Sequence, residues 1–189
     1  MNNLVKAVGG VLVESGQALQ RAGLRAADHV VVPHQPFNWV GVAPPALGPG
    51  VSVAPSASLL GKEVMIGARS EIGENVVIHG EDQTVVLGIA VKVGSDSVIT
   101  SMTKRSLTGL PTSTEIGSDV VIGERCVLES CLVGSGAKIG DDCVVSAGSY
   151  VEGGAELLPG TVVPSMSRIP SDQVWGGNPA AFVGDVEAH

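Results

Sequence analysis

Few side chains in this 189-residue chain could do chemistry, and their positions limit what that chemistry could be. The four histidines are His29, His34, His79 and His189, so no imidazole falls between residues 79 and 189. His79 is separated by one glycine from Glu81, beside which it could act as a lone general base. A single histidine in such a setting is more often a surface or interface group, and we favour that interpretation.

The three cysteines could in principle bind a soft metal or form a disulfide, but their spacing favours packing. Cys126, Cys131 and Cys143 each stand two residues before an aliphatic residue of a regular repeat. Because that position faces inward in the repeat, we expect the thiols to be buried and reduced.

A six-residue repeat governs much of the chain. Aliphatic residues recur every six positions, with one five-residue step, and from Ile122 onward a small or slim residue precedes each of them by two. The aliphatic residues are Ile116, Ile122, Leu128, Val133, Ile139, Val145, Val151, Leu157, Val163 and Ile169, and the small ones are Val120, Cys126, Cys131, Ala137, Cys143, Ser149, Ala155, Thr161 and Ser167. Earlier pairs are Ala57 with Leu59, Ser70 with Ile72, and Val76 with Ile78.

Such a repeat predicts an all-β fold. Six residues fit one short strand and a tight corner, and three such sides close a triangular coil of about 18 residues. We therefore predict a left-handed parallel β-helix; its handedness departs from the usual crossover rule, and the hexapeptide pattern justifies the exception. A polar stretch from Ser101 to Thr114 interrupts the repeat and should project as a loop from one corner.

Composition narrows the possible partners. Aromatic residues make up 3% of the chain and glycines number 26, which suits a thin aliphatic interior. The net charge of −8 argues against a nucleic-acid partner, since phosphate binding needs basic patches. No apolar run approaches the roughly 20 residues needed to span a bilayer, so we expect a soluble or peripheral protein.

Four segments are expected along the chain. The first keeps an apolar face at helical spacing and predicts an amphipathic helix, either a mitochondrial import signal or a packing element. The second is rich in proline and glycine and predicts an extended linker with Phe37 and Trp39 as anchors. The third holds the β-helix, and the fourth is a short C-terminal tail. These segments are residues 1–28, 29–52, 53–182 and 183–189.

Four stretches give the chain a resemblance to the γ-class carbonic anhydrases, and more narrowly to their relatives among the subunits of mitochondrial respiratory complex I. The last stretch is the most specific, whereas hexapeptide repeats alone are shared with many acyltransferases. The first stretch resembles the N-terminal helix of the mitochondrial members. The stretches are Gly16-Gln-Ala-Leu-Gln-Arg-Ala-Gly23, Val53-Ala-Pro-Ser-Ala-Ser58, Ile116-Gly-Ser-Asp-Val-Val-Ile-Gly123 and Ile169-Pro-Ser-Asp-Gln-Val-Trp-Gly-Gly-Asn-Pro-Ala-Ala-Phe182.

The resemblance also implies a zinc site that this chain has lost. In the family three histidines hold zinc between neighbouring subunits, two from one subunit and one from the next, and the fourth position keeps the reactive water. The corresponding positions here are Glu124, Glu129 and, at or beside it, Thr100. Oxygen ligands suit Mg²⁺ or Ca²⁺ better, and we interpret the carboxylates as solvated or paired, with Arg125 as a candidate partner. We therefore assign no catalytic, cofactor or metal residue.

A second catalytic element of the family is altered as well. Where active members carry Arg-Gly-Asp at the trimer interface, this chain has His79, Gly80 and Glu81. An acid is retained, but an imidazole cannot supply the bidentate fork of a guanidinium.

The resemblance thus implies a non-catalytic accessory subunit of NADH:ubiquinone oxidoreductase, complex I. It would form a heterotrimer with other γ-carbonic-anhydrase-like subunits on the matrix side of the mitochondrial inner membrane, contact membrane-arm subunits, touch the membrane peripherally and need no cofactor. Two alternatives stay open. One is an enzyme, either an active carbonic anhydrase or a hexapeptide acyltransferase, and the other is a non-mitochondrial adaptor such as the β-helices at the pointed end of dynactin.

The apolar face of the first segment predicts an assembly element. A thin β-helix has no interior in which to bury such a face, so deletion of residues 2–28 should leave the β-helix folded and detach it from its complex. Circular dichroism with thermal melting tests the fold, and co-purification tests attachment. Loss of the cooperative melt in the truncated protein would mean that the segment is part of the core.

Overall fold

The structure is a computed structural model that describes residues 45–61, 63–80, 83–101 and 113–186. The expected N-terminal helix and most of the expected linker lie outside these described residues, as does the end of the tail. Within the described residues the chain is all-β, and its strands are short. They are β1 (Ala46–Leu47), β2 (Ser52–Val53), β3 (Ser58–Gly61), β4 (Val64–Ile66), β5 (Glu71–Ile72), β6 (Val77–Gly80), β7 (Val85–Leu87), β8 (Lys92–Val93), β9 (Val98–Thr100), β10 (Thr114–Ile116), β11 (Val121–Ile122), β12 (Val127–Glu129), β13 (Leu132–Val133), β14 (Lys138–Ile139), β15 (Val144–Val145), β16 (Tyr150–Val151), β17 (Glu156–Leu157), β18 (Val162–Val163), β19 (Arg168–Ile169), β20 (Gln173–Gly176) and β21 (Ala181–Asp185).

Three sheets form the sides of a triangular coil. Each strand pairs in parallel with the strand three places further along the chain, so successive strands visit the three sheets in turn. We call them sheet A (β1, β4, β7, β10, β13, β16, β19), sheet B (β2, β5, β8, β11, β14, β17, β20, β21) and sheet C (β3, β6, β9, β12, β15, β18). The result is a left-handed parallel β-helix of about six turns, which confirms the predicted fold class.

The inward positions predicted from the repeat form one core. None of the predicted aliphatic residues is more than 4% exposed. The small residues predicted beside them are buried too, except Ser167, which is half-buried. Ser167 precedes β19, the outermost strand of sheet A in the described residues, so no further coil of that sheet covers it.

Polar residues in the small inward positions satisfy the backbone at the corners. Ser97 donates a hydrogen bond to the carbonyl of Gly123 at 2.9 Å, and the Cys126 thiol donates to the carbonyl of Gly140 at 3.1 Å. The Cys143 thiol donates in the same way to a carbonyl of the following coil at 3.2 Å. Each side chain therefore ties its own coil to the next, which explains why serine and cysteine occur in an otherwise aliphatic interior.

The tight corners between the sides of the coil require residues with a positive φ angle. Asp96, Asp119 and Asp142 occupy the left-handed region there, with φ of 59°, 58° and 58°, a region that aspartate tolerates better than most residues. Beside the corners, glycines stack so closely that a Cβ on Gly88 would lie 2.6 Å from the carbonyl carbon of Gly117. Any side chain at that glycine would push the coils apart.

The predicted polar excursion lies largely outside the described residues, and Thr114, its predicted last residue, is instead the buried first residue of β10. The coil that contains this stretch is longer than the next one. Val98 is paired with Val127 one coil later, whereas Val127 is paired with Val144, which is much nearer in sequence. Residues 102–112 lie outside the described residues. The start of the coil differs from the expectation, since β1 already stacks on β4 ahead of residue 53, and β21 continues beyond residue 182.

The cysteine positions give a test of the register. All three thiols are free and fully buried. Burial raises the pKa of Cys131 to about 12, whereas a hydrogen bond from Cys126 lowers the pKa of Cys143 below its usual value. Because burial keeps a thiol reagent away from all three sulfur atoms, we expect burial rather than thiol acidity to set the labelling rate. All three cysteines should react only after denaturation. Rapid labelling of the three thiols in the native protein would show that the inward register is wrong.

Candidate metal centre and interface

The residues that the resemblance aligns with the family's zinc ligands lie at the two opposite ends of the strands of sheet C. Thr100 and Glu129 are Cα partners at the ends of β9 and β12, so they are neighbours on the outer face. Glu124 lies in the corner that precedes β12 and is therefore at the opposite edge of the same sheet. One chain does not bring the three positions together, and a site built from them would need two chains.

Glu124 is engaged in a small ionic network. The Nη1 atom of Arg125 lies 3.1 Å from Oε2 of Glu124. The same guanidinium donates from Nε and Nη2 to the two carboxylate oxygens of Asp142, at 2.7 and 2.9 Å. This bidentate contact holds the pKa of Asp142 below its usual value. The pairing of Glu124 with Arg125 is the one considered from sequence, and Asp142 is an additional member.

His79 belongs to the row that contains Thr100 and Glu129. It is the Cα partner of Thr100, one coil below it, and it is half-buried. Its carbonyl accepts a hydrogen bond from the backbone N–H of Ser101 at 3.1 Å. The resemblance assigns His79 and Thr100 to two separate catalytic elements of the family. The structure places them side by side at the same end of the strands of sheet C. Glu81 lies outside the described residues.

These residues do not fit the zinc chemistry of the family. A hydroxide-forming zinc needs neutral nitrogen ligands and an open fourth position, and the three positions offer two carboxylates and a hydroxyl. The positive charge of Arg125 beside Glu124 also disfavours a cation there. Among residues 45–61, 63–80, 83–101 and 113–186, no group of three His, Cys, Asp or Glu side chains could hold a metal ion.

A shallow groove beside Glu124 is lined by charged and polar side chains. Its volume is about 490 Å³, and Ser52, Glu71, Lys92 and Ser95 contribute to its walls. The ammonium of Lys92 lies 3.5 Å from a carboxylate oxygen of Glu71, so the cation is already paired within the chain. The described walls of the groove therefore offer no unpaired lysine for an anionic ligand.

The outer face of sheet C carries a continuous apolar row that the sequence analysis missed. Its valines are successive Cα partners, half-buried apart from Val127, which is 40% exposed. The corresponding row on sheet B is mostly charged or polar. The sheet C row begins at Ser58 and continues as Val77, Val98, Val127, Val144 and Val162, and the sheet B row is Ser52, Glu71, Lys92, Val121, Lys138, Glu156 and Val174. The missed signal is a valine directly before the buried aliphatic residue in every third hexapeptide from Val77 onward.

A membrane-crossing helix is not among the described elements. Across the residues for which coordinates are described, no helix has both the length and the apolar character that a bilayer span requires.

Comparison with known proteins places this geometry in a family. A family model described as dynactin subunit 5 matches residues 46–188. Two mitochondrial proteins of Arabidopsis thaliana, gamma carbonic anhydrase 1 and gamma carbonic anhydrase 3, are each 35% identical to the chain; the matches cover 93% and 97% of this chain, and 65% and 72% of those proteins. The chain spans about two thirds of the length of the gamma carbonic anhydrases 1 and 2 that it matches.

A solved structure supports the fold independently. A hexapeptide transferase family protein from Anaplasma phagocytophilum superposes with a TM-score of 0.53 at 22% identity, over 76% of this chain and 85% of that one. At that identity the likeness concerns the fold alone. Together with the nearly full-length sequence matches, the coil geometry shows that the chain belongs to the hexapeptide-repeat β-helix family of the γ carbonic anhydrases and dynactin subunit 5.

Proposed function

We propose that this chain is a non-catalytic γ-carbonic-anhydrase-like subunit that acts as a structural member of a trimer in mitochondrial complex I. The observation that carries the proposal is the ionic network of Glu124, Arg125 and Asp142 at a family zinc position. A network that joins two acids to a guanidinium supports two neighbouring coils, and it supplies none of the neutral nitrogen ligands that a reactive zinc-bound water needs.

The contrast between two of the three faces of the β-helix supports the proposed trimer. The apolar row on sheet C and the mostly charged or polar row on sheet B favour burial of sheet C against other chains and exposure of sheet B to water. If the zinc positions of neighbouring subunits meet, sheet C must face the shared axis, because Thr100 and Glu129 lie at one of its edges and Glu124 at the other. The valine rows of three subunits would then pack around that axis.

The proposed mitochondrial location rests on the names of similar proteins. The plant relatives are mitochondrial by name, and the resemblance of residues 16–23 to the N-terminal helix of mitochondrial members points the same way. On this proposal the trimer lies on the matrix side of the inner membrane and supports the membrane arm, in peripheral contact with the bilayer.

The match to the dynactin subunit 5 model favours a second candidate, an adaptor β-helix outside mitochondria. Both candidates use the fold as a scaffold and differ in compartment and partner. Fractionation of mitochondria, followed by native mass spectrometry of the assembly that contains this chain, separates them. Co-purification with respiratory-chain subunits supports the first candidate, and co-purification with a cytoplasmic assembly supports the second.

The loss of the zinc site can be tested by restoring it. In the triple variant Thr100→His, Glu124→His and Glu129→His, metal analysis should detect zinc in the trimer, because three imidazoles would again meet across an interface. Carbon dioxide hydration should stay absent, since His79 leaves the interface guanidinium missing.

The unmodified chain is the control, and it should bind no stoichiometric zinc. Zinc bound to that chain at one equivalent would overturn the loss of the site. High hydration activity in the triple variant would show that the missing guanidinium is not needed.

The trimer face can be tested with two exposed valines of one coil. Val127 on sheet C is 40% exposed and Val121 on sheet B is 44% exposed. Val127→Glu should place a carboxylate in the apolar contact at the shared axis and raise the dissociation constant of the assembly about tenfold or more, which corresponds to about 1.4 kcal/mol. Analytical ultracentrifugation over a concentration series measures this change.

Val121→Glu is the matched control and should leave the assembly intact. Dissociation caused by Val121→Glu, with Val127→Glu unaffected, would place the interface on sheet B and contradict the proposed arrangement.

A further inference from the structure

The outer face of sheet A and the corner that follows it are apolar in the first three coils. In each of these coils one apolar side chain faces outward from the strand, and a second stands three residues later at the corner. Met65 is 45% exposed and Ile89 is 46% exposed. The residue before each corner position is a glycine, which adds no side chain, so the surface is flat. We call these six residues the sheet A patch: Ala46, Met65 and Val86 on the strands, and Pro49, Ala68 and Ile89 at the corner.

The apolar character of this surface ends at the fourth coil. The next residue of the strand row is Glu115 in β10, and the next residue of the corner row is Ser118. Ser135 and Gly153 continue the corner row. At about 4.8 Å per coil and about 3.3 Å per residue, the sheet A patch is about 14 Å high and about 10 Å wide. Its width matches the diameter of one α-helix, about 10 Å.

The sheet A patch offers side chains to a partner but no backbone groups. β4 is hydrogen-bonded to β1 on one side and to β7 on the other, and β7 continues to β10. An extended segment laid on this face would bury its own N–H and C=O groups unpaired against apolar side chains. A helix pairs its backbone internally, and its rise of about 5.4 Å per turn is close to the spacing of about 4.8 Å between coils. A helix along the axis of the β-helix can therefore place one apolar residue on each coil.

The borders of the sheet A patch are charged. Arg69 follows the corner residue Ala68 and is exposed, and no carboxylate in the part of the chain that the structure describes forms an ion pair with it. On the opposite border a carboxylate oxygen of Glu63 accepts a hydrogen bond from Oγ1 of Thr84 at 2.7 Å. Glu115 stands at the border with the fourth coil. A partner with a carboxylate facing Arg69 and a cation facing the two acids would complement these borders.

We infer that the sheet A patch binds an amphipathic helix of a partner protein, with an apolar stripe of two to three turns against the patch and a carboxylate beside Arg69. A second copy of this chain fits less well, because the patch is far smaller than the roughly 800 Å² per partner of a stable interface. Two copies packed side by side through this face would also bring their Glu115 carboxylates together.

This inference goes beyond the proposed function. The proposed trimer uses sheet C, whereas the sheet A patch lies on another side of the β-helix and stays available in that arrangement. The inference concerns the surface of one chain and applies in whichever compartment the chain is found.

Ile89→Cys in the full chain tests whether the patch is covered in the native assembly. Because the three native cysteines are free and buried, a maleimide should label only the new thiol of the isolated folded chain. In the assembly purified from cells that express the variant, a helix that occupies the patch about nine-tenths of the time should slow labelling about tenfold. Ser135→Cys, exposed at the same corner position two coils later, is the matched control and should label equally fast in both. Equal labelling of Ile89→Cys in the isolated chain and the assembly would overturn the inference.

A photo-cross-linker on the same thiol identifies what covers the patch. With a benzophenone maleimide on Ile89→Cys, mass spectrometry of the irradiated assembly should find a peptide of a different protein whose apolar residues recur every three or four positions beside an acidic residue. A cross-link to another part of this chain, to a second copy, to lipid, or to a segment without helical spacing would contradict the inference.

Arg69→Glu in the Ile89→Cys background tests the expected carboxylate. It should bring like charges together, raise the dissociation constant of the helix about tenfold and return labelling toward the rate of the isolated chain. Lys138→Glu makes the same change of charge at an exposed position of sheet B and is the matched control, in which protection should persist. Protection that survives Arg69→Glu would show that no carboxylate of the partner faces this guanidinium. Native cysteines that stay unreactive confirm that each variant is folded.

Discussion

The narrow triangular interior is the constraint on which the rest of this molecule depends. Parallel strands stack at about 4.8 Å, so each inward position of one coil lies directly on the same position of the next. A position that takes a large aliphatic residue therefore forces a small one beside it, coil after coil. The interior excludes aromatic rings, makes cysteine and serine useful as links between coils, and leaves all specificity to the outer faces and the two ends.

The outer faces of sheets B and C differ in polarity. Sheet B presents charged residues to water, whereas sheet C presents a row of valines with polar residues at its two edges. The positions that the resemblance aligns with zinc ligands lie at the two ends of its strands, where Glu124 takes part in an ionic network with Arg125 and Asp142. On the proposed function, the β-helix is kept as a scaffold and this network stands in place of a metal ligand.

Much of this could be predicted from the sequence, because a period of six maps directly onto one geometry. The inward residues and the buried cysteines follow from counting. Ser167 could not be predicted as half-buried, since burial there depends on what covers β19 rather than on the repeat. The valine row was missed because its period is three hexapeptides, and the proximity of His79 to Thr100 was missed because register between coils is absent from linear spacing.

The central claim is that this chain contributes scaffold and no metal ligand to the proposed trimer. Native mass spectrometry of the purified endogenous assembly, combined with metal analysis, tests it most directly. With one copy of this chain, both interfaces that it forms lack a complete ligand set, and the account predicts at most one zinc ion per trimer, held between the other two subunits. Three zinc ions in a trimer that contains this chain would contradict the account.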